Sequence, residues 1–402
     1  MTVKRLEQLE ESIEKELEEN ILPFWKDHTV DDENGGFYGY ITHSKDIQKE
    51  ADKGGILNSR ILWTFSKAFN KYQNETYLEV ATKAYEFLMT KIYDREHSGL
   101  YWMVDYKGEP KETRKHIYSQ AFGIYGLTEY YIATKNEEAL KLAITLYELI
   151  EKHAYDQVNK GYFEAYTREW QVEDDLRLSG KDMNSPKSMN THLHILEAYT
   201  NLYRVWKNEA FKEKFLELIE VSIEKIVDND TFQFKLFFDA EWNSLSNVVS
   251  YGHDIEGSWL LYEAAEVAGD QGLLAKVKSI AIKMAEKVLS EGMDTDGSLL
   301  NESKDGVMID TDKVWWIQAE AMVGFMNAYQ LTLDEKYIEA VEKLWKFTNK
   351  YMIDHENGEW YWKLTRDRKV FSDMPKVEPW KCPYHNSRFC FEILERIDLF
   401  RN

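Results

Sequence analysis

A short turn in which glycine is followed by aromatic residues recurs along this chain at a nearly constant interval. It reads Asn34-Gly-Gly-Phe-Tyr-Gly39, His97-Ser-Gly-Leu-Tyr-Trp102, Asn159-Lys-Gly-Tyr-Phe163, Asp296-Gly-Ser-Leu-Leu300 and Asn357-Gly-Glu-Trp-Tyr-Trp362. Asp228-Asn-Asp-Thr-Phe-Gln-Phe234 is a degenerate sixth copy. Anchored on Gly36, Gly99, Gly161, Thr231, Gly297 and Gly358, the steps are 63, 62, 70, 66 and 61 residues. Glycine supplies the positive φ of a tight turn, and alternating aromatics suit the strands beside it, so each copy reads as a hairpin. A period of this length marks a repeat architecture.

Each interval holds two helical segments of different character. Thr76 to Ile92 places Tyr77, Ala81, Ala84, Phe87 and Leu88 on one face, with charge elsewhere, as an outer amphipathic helix does. Segments 116–132, 188–204, 253–267 and 314–330 start almost without charge and carry small residues such as Gly123, Gly126, Ala264, Ala265, Ala319 and Gly324. Helices apolar on most sides are buried on most sides, and small residues let them crowd. Six outer helices around six inner ones make an all-α fold, an (α/α)6 barrel of helix-pair repeats with short aromatic hairpins at one end. An open solenoid satisfies the same repeat, but a count that closes at six favours the ring. Six prolines, mostly outside these segments, agree with a helical chain. No linker interrupts residues 1–402, which read as one catalytic domain.

Composition narrows the partners. With 50 Lys+Arg against 71 Asp+Glu, the net charge of −21 disfavours nucleic acid and anionic membranes and favours a small neutral ligand. The longest uncharged run near a core stretch, His116 to Thr128, is too short to cross a bilayer, and the charged N-terminal segment does not read as a signal peptide. The two cysteines, Cys382 and Cys390, suit a reducing cytoplasm and read as buried thiols. The expectation is a cytoplasmic protein, monomeric or weakly self-associating.

Helix ends in a toroid converge on a central cavity. Near the start of each inner helix stands a polar or aromatic residue: Arg60, Tyr118, His194 with Asn190, His253 with Glu256, Trp316 with Glu320, and His385. A lone histidine on an apolar helix is more often a hydrogen-bonded core residue. Three at one phase of the repeat point instead to one shared site. Asn190 and His194 are four apart and share a face, as do Trp316 and Glu320. His253 and Glu256 are three apart, a spacing from which Glu256 would orient the imidazole. His192 points elsewhere, and Trp259 reads as wall packing. The spacing of His253 and Glu256 also suits a metal, but the acids and imidazoles do not read as one clustered ligand set, so no metal is expected. No phosphate-cradling glycine loop or serine elbow is present.

Imidazole accepts and returns protons near neutrality. His253 and His385 could flank one carbon as two bases, with Arg60 stabilising an enediolate. Glu256 and Glu320 could alternatively flank a glycosidic bond, which keeps hydrolysis as the competitor.

Longer motifs carry a resemblance. Lys187-Ser-Met-Asn-Thr-His-Leu-His-Ile-Leu-Glu-Ala-Tyr-Thr-Asn-Leu202, Ser250-Tyr-Gly-His-Asp-Ile-Glu256, Trp315-Trp-Ile-Gln-Ala-Glu320 and Trp380-Lys-Cys-Pro-Tyr-His-Asn386 resemble the cellobiose 2-epimerases of the N-acylglucosamine 2-epimerase superfamily. So does Ile56-Leu-Asn-Ser-Arg-Ile-Leu-Trp63, and the likeness runs in order from Phe24 to Glu392. Asn386-Ser-Arg388 departs from the family's Asn-Gly-Arg but leaves His385 intact. The resemblance implies cofactor-free C2 epimerisation of the reducing-end glucose of β-1,4-linked disaccharides, with minor ketose formation. It implies His253 and His385 as the acid/base pair and His194 at ring opening. Arg60, Tyr118 and Asn190 would bind the reacting sugar, and Glu256 would orient His253. Trp316 would pack on that sugar, Trp380 would stack on the second one, and Glu320 and Asp182 would complete the set. The alternative within the superfamily is a 2-epimerase or aldose–ketose isomerase acting on a monosaccharide or N-acylhexosamine.

Overall fold

The computed structural model describes residues 2–401. Its principal helices are α1 (Thr2–Glu16), α2 (Gly55–Tyr72), α3 (Glu75–Phe87), α4 (Ile117–Thr134), α5 (Glu137–His153) and α6 (Met189–Val205). There follow α7 (Glu209–Val221), α8 (Tyr251–Ala268), α9 (Gln271–Glu291), α10 (Trp315–Thr332), α11 (Glu335–Phe347) and α12 (Tyr384–Leu399). Odd-numbered helices lie outside and even-numbered ones inside. α2 packs on α4, α4 on α6, α6 on α8, α8 on α10 and α10 on α12, and α12 returns to α2. The ring closes after six pairs, as the repeat count predicts. α1 runs on through a π turn into Leu22–His28 and covers the seam, where Arg5 pairs with Glu335 and Glu342 of α11.

The local chemistry explains the alternation. Outer helices begin at Asn74, Asn136, Asn208, Asp270 and Asp334, whose side chains accept from the first free backbone N–H groups. Inner helices are buried nearly all round: from Trp315 to Tyr329, every residue but Trp316 is buried. Close approach requires the glycines. A Cβ on Gly126 would stand 2.5 Å from the Ser59 carbonyl oxygen, and one on Gly324 would stand 2.7 Å from that of Ile255.

The aromatic turns are hairpins held by single antiparallel bridges: Val30 with Phe37, Tyr93 with Leu100, Tyr155 with Tyr162, Val227 with Phe234, Met293 with Leu299, and Ile353 with Trp360. The degenerate copy is therefore a true member. A feature missed in the sequence locks them. In five turns an aspartate takes a buried lysine from the stretch before an inner helix: Asp31–Lys53, Asp94–Lys115, Asp156–Lys187, Asp294–Lys313 and Asp354–Lys376, at 2.6 to 3.0 Å. Lys53, Lys187 and Lys376 also donate to a turn carbonyl. Each clamp ties a hairpin to the chain that enters an inner helix, and five of the six inner helices are anchored this way. Cys382 and Cys390 are buried free thiols. Among the described residues, no helix is long and apolar enough to cross a membrane.

Candidate active site

At their N-terminal ends the inner helices surround a cavity of about 610 Å³. It is lined by Arg60, Tyr118, Asn190, His194, His253, Glu256, Trp316 and His385, each from the first two turns of its helix, together with Trp380 and Asp182 from loops. Glu320 lies behind the wall, where its carboxylate supports His385, and Trp259 lies behind it as well, donating to that carboxylate. His192 points away, as its spacing predicts: Nε2 accepts from the Tyr162 backbone N–H and Nδ1 meets the Ser188 carbonyl.

The three histidines are held differently. His385 Nδ1 donates to Glu320 Oε1 at 2.7 Å, and His194 Nδ1 donates to Glu197 Oε2 at 2.9 Å. Where the carboxylate is ionised it only accepts, and in the neutral rings the proton then sits on Nδ1 and Nε2 is bare. His253 Nδ1 meets Ser250 Oγ at 2.8 Å. This corrects the expectation that Glu256 orients His253. Glu256 instead takes Arg388 Nη2 at 2.5 Å, because a buried guanidinium is a stronger attraction than a neutral imidazole one turn away.

Burial holds His253 and His385 below the usual histidine range, and for His385 the Arg60 charge adds to it. Both are therefore neutral bases at neutral pH. The Trp316 ring lies against the two of them, its centroid 4.8 Å from that of His253 and 5.5 Å from that of His385. Trp315, its neighbour, is buried and stacks on Trp362.

Arg60 has aromatic and neutral partners. Its Nη2 donates to Tyr118 Oη at 2.8 Å, and the guanidinium lies 4.1 Å from the Phe122 ring centroid and 4.8 Å from that of Tyr384. Among the described residues no carboxylate pairs with it, so the charge remains available to an oxyanion in the cavity. The Asn190 amide oxygen has no hydrogen-bond partner among the described residues. Trp380 stands at the rim with its ring edge-on to Trp102 and Tyr118, and Asp182 caps its own loop by accepting from the Ser179 N–H.

Beneath the histidines lies a polar layer that sequence reasoning missed. Arg388 donates to Glu197, Glu256 and Glu320, and Tyr384 donates to Glu197. The expectation that acids and imidazoles are not clustered is thus overturned. Donor atoms of Glu256, Glu320 and His385 lie within 4.8 Å of one another, and the charge that meets the two carboxylates is the guanidinium. That guanidinium also fills the space between Glu256 and Glu320, where a hydrolase would need its scissile bond. Glu197 and Arg388 each stand three residues after a site histidine. The spacing noticed for His253 and Glu256 was the signal that could have found them.

The sequence matches the model of the N-acylglucosamine 2-epimerase family over residues 36–386. The chain belongs to that family. Among its relatives, the cellobiose 2-epimerase of Bacteroides fragilis is 47% identical over 387 residues, covering 96% of this chain and 98% of that protein. The cellobiose 2-epimerase of Dictyoglomus turgidum is 43% identical, covering 98% of this chain and all of that protein. A solved structure of the cellobiose 2-epimerase from Bacillus thermoamylovorans superposes with a TM-score of 0.93 at 45% identity, covering 97% of this chain and 100% of that one. Membership of the N-acylglucosamine 2-epimerase family carries sugar epimerase chemistry, and the three-histidine cavity has the groups for it.

Proposed function

We propose that this protein inverts C2 of the reducing-end glucose of β-1,4-linked disaccharides, converting cellobiose to glucosyl-mannose and lactose to epilactose. The observation that carries this reading is the pair of neutral imidazoles, His253 and His385, against one tryptophan, in a cavity that also holds an unpaired guanidinium. Relatives of 43–47% identity bearing the name cellobiose 2-epimerase support the substrate class. A cavity of about 610 Å³ suits a ligand of disaccharide size.

In this reading His194 exchanges a proton with the ring oxygen or the C1 hydroxyl and opens the pyranose. One of His253 and His385 then takes the C2 proton at Nε2, and the electron pair moves onto the C1 oxygen to give an enediolate. Arg60 and Tyr118 stabilise that oxygen, while Asn190 holds a sugar hydroxyl. The other histidine, having taken up a proton from solvent, returns it to C2 from the opposite side, the first releases the proton it removed to solvent, and the ring closes. Nothing is consumed, so the same steps run in reverse. Protonation at C1 of the same enediolate would yield a ketose, a minor leak. Trp316 packs on the reacting sugar and Trp380 stacks on the second one. Glu320 orients His385, and Asp182 faces a sugar hydroxyl.

The test is incubation of the full chain with cellobiose, lactose, mannose or N-acetylglucosamine, followed by chromatography and mass spectrometry. The reading predicts isomeric disaccharides of unchanged mass from the first two. Released glucose would overturn it in favour of hydrolysis. Conversion of the monosaccharides alone would keep the chemistry and overturn the substrate.

A further inference from the structure

Arg388 is fully buried and lies one turn after His385 on α12. Its Nη1 donates to Glu197 of α6, and its Nη2 donates to Glu256 of α8 at 2.5 Å and to Glu320 of α10 at 2.6 Å. Two of these carboxylates have their own histidine: Glu197 with His194 at 2.9 Å, and Glu320 with His385 at 2.7 Å. Glu256 stands 3.9 Å from His385 Nδ1. A single cation from one helix thus gathers three carboxylates from three others, directly under two imidazoles of the site.

We propose that Arg388 is a positioning residue that holds Glu197, Glu256 and Glu320 together beneath the site and thereby keeps His385 unprotonated. Left without the guanidinium, the buried carboxylates would draw a proton onto the imidazole of His385 and turn a base into a cation. The planar fork of arginine also fixes the direction of each carboxylate, and so the tautomer and tilt of each ring, which an ammonium cannot do.

The other groups around the cluster do not replace it. Tyr384 donates to Glu197, while Tyr118 and Tyr125 approach from α4 with their phenols held neutral by burial. Trp259 caps the guanidinium with its ring and donates to Glu320 at 3.1 Å. Arg60, the other cation near His385, reaches Tyr118 and the Trp380 carbonyl but none of the three carboxylates. His253, held by Ser250, stands outside the cluster. With Arg388 in place, burial raises Glu256 and Glu320 to about 7, whereas Glu197, against its own burial, is brought down to about 2.

This inference rests on the acid/base reading of His385. Its test reads protonation directly, by ¹⁵N–¹H NMR titration of the histidine rings in the full chain, alongside the pH profile of kcat/KM. Arg388→Gln should raise the midpoint of His385 and the acid limb of the profile by at least about one pH unit. Arg388→Lys, which keeps the charge, should restore the limb while kcat stays about tenfold or more below wild type. Glu320→Gln, which removes the carboxylate on Nδ1, should move the His385 midpoint in the opposite direction, a reversal that damaged folding would not produce. Unchanged midpoints in all three variants, with activity falling equally at every pH, would overturn the proposal. The titration is independent of sugar, so normal C2 inversion with unshifted histidines would defeat only this inference. Shifted histidines without C2 inversion would defeat only the proposed function.

Discussion

Glu320 of α10 accepts the Nδ1 proton of His385 of α12 at 2.7 Å, so one inner helix sets the ring orientation of the residue that its neighbour contributes to the cavity. Trp259 of α8 donates to the other oxygen of the same carboxylate at 3.1 Å. Three consecutive inner helices therefore fix one imidazole.

If that orientation matters, Glu320→Gln should lower kcat for cellobiose by about 10²-fold and leave KM within about threefold. His385→Ala should cost about 10²–10⁴-fold. Steady-state kinetics check both. A Glu320→Gln effect confined to KM would mean that the carboxylate binds sugar and does not position His385.

Trp380 stands at the rim, beyond the histidine layer. Trp380→Ala should raise KM for cellobiose by about three- to tenfold, the magnitude of a lost aromatic face, with little change in kcat. The check is the same assay run on cellobiose and lactose; an unaffected KM for both would remove Trp380 from the sugar site.

The hairpin clamps make a stability prediction. Lys53→Met strands the buried Asp31 carboxylate and should cost about 3–5 kcal/mol in chemical denaturation, while adding Asp31→Leu should recover most of it. Failure of the double variant to recover would mean that the ammonium contributes chiefly through the Gly35 carbonyl it also meets at 2.6 Å.

Stability should also peak in mildly acid solution. Against their burial, hydrogen bonds from the clamp lysines, joined at Asp94 and Asp294 by stronger ones from Arg168 and Arg366, hold Asp31, Asp94, Asp156, Asp294 and Asp354 below the usual carboxylate range, Asp354 at about 2. A depressed folded-state pKa gives stability that is present above the unfolded value of about 3.9 and is lost as pH falls below it. Burial raises Glu16 and Glu164 to about 8. A raised carboxyl gives stability that is complete below about 4.3 and is lost as pH rises through 8. Melting temperature should therefore be highest near pH 5 and fall on both sides; a monotonic rise from pH 5 to 9 would contradict this balance.

Much of this was legible in the sequence because the repeat imposes a phase. Arg60, Tyr118, His194, His253, Trp316 and His385 recur with the turns, and closure of the ring brings equal phases to one end. Glycines such as Gly126 and Gly324 announced the crowded inner helices. Pairing between helices was not legible. Glu197 and Arg388 are 191 residues apart and meet only through the closed ring, and charged residues on a helix read first as surface. For the same reason Glu256 was assigned to His253, its neighbour in sequence, when its partner lies on α12. The clamp lysines escaped notice because a single Lys among loop residues carries no pattern until its aspartate is found 19 to 31 residues away.

The central claim is that His253 and His385 exchange a proton at C2. The most direct measurement is proton NMR of cellobiose with the full chain in D₂O, for wild type, His253→Ala and His385→Ala. The account predicts a growing mannose-type anomeric signal with deuterium at C2 for wild type, and its loss in both variants. Epimerisation that retains the original C2 proton, or that survives removal of either histidine, would contradict it.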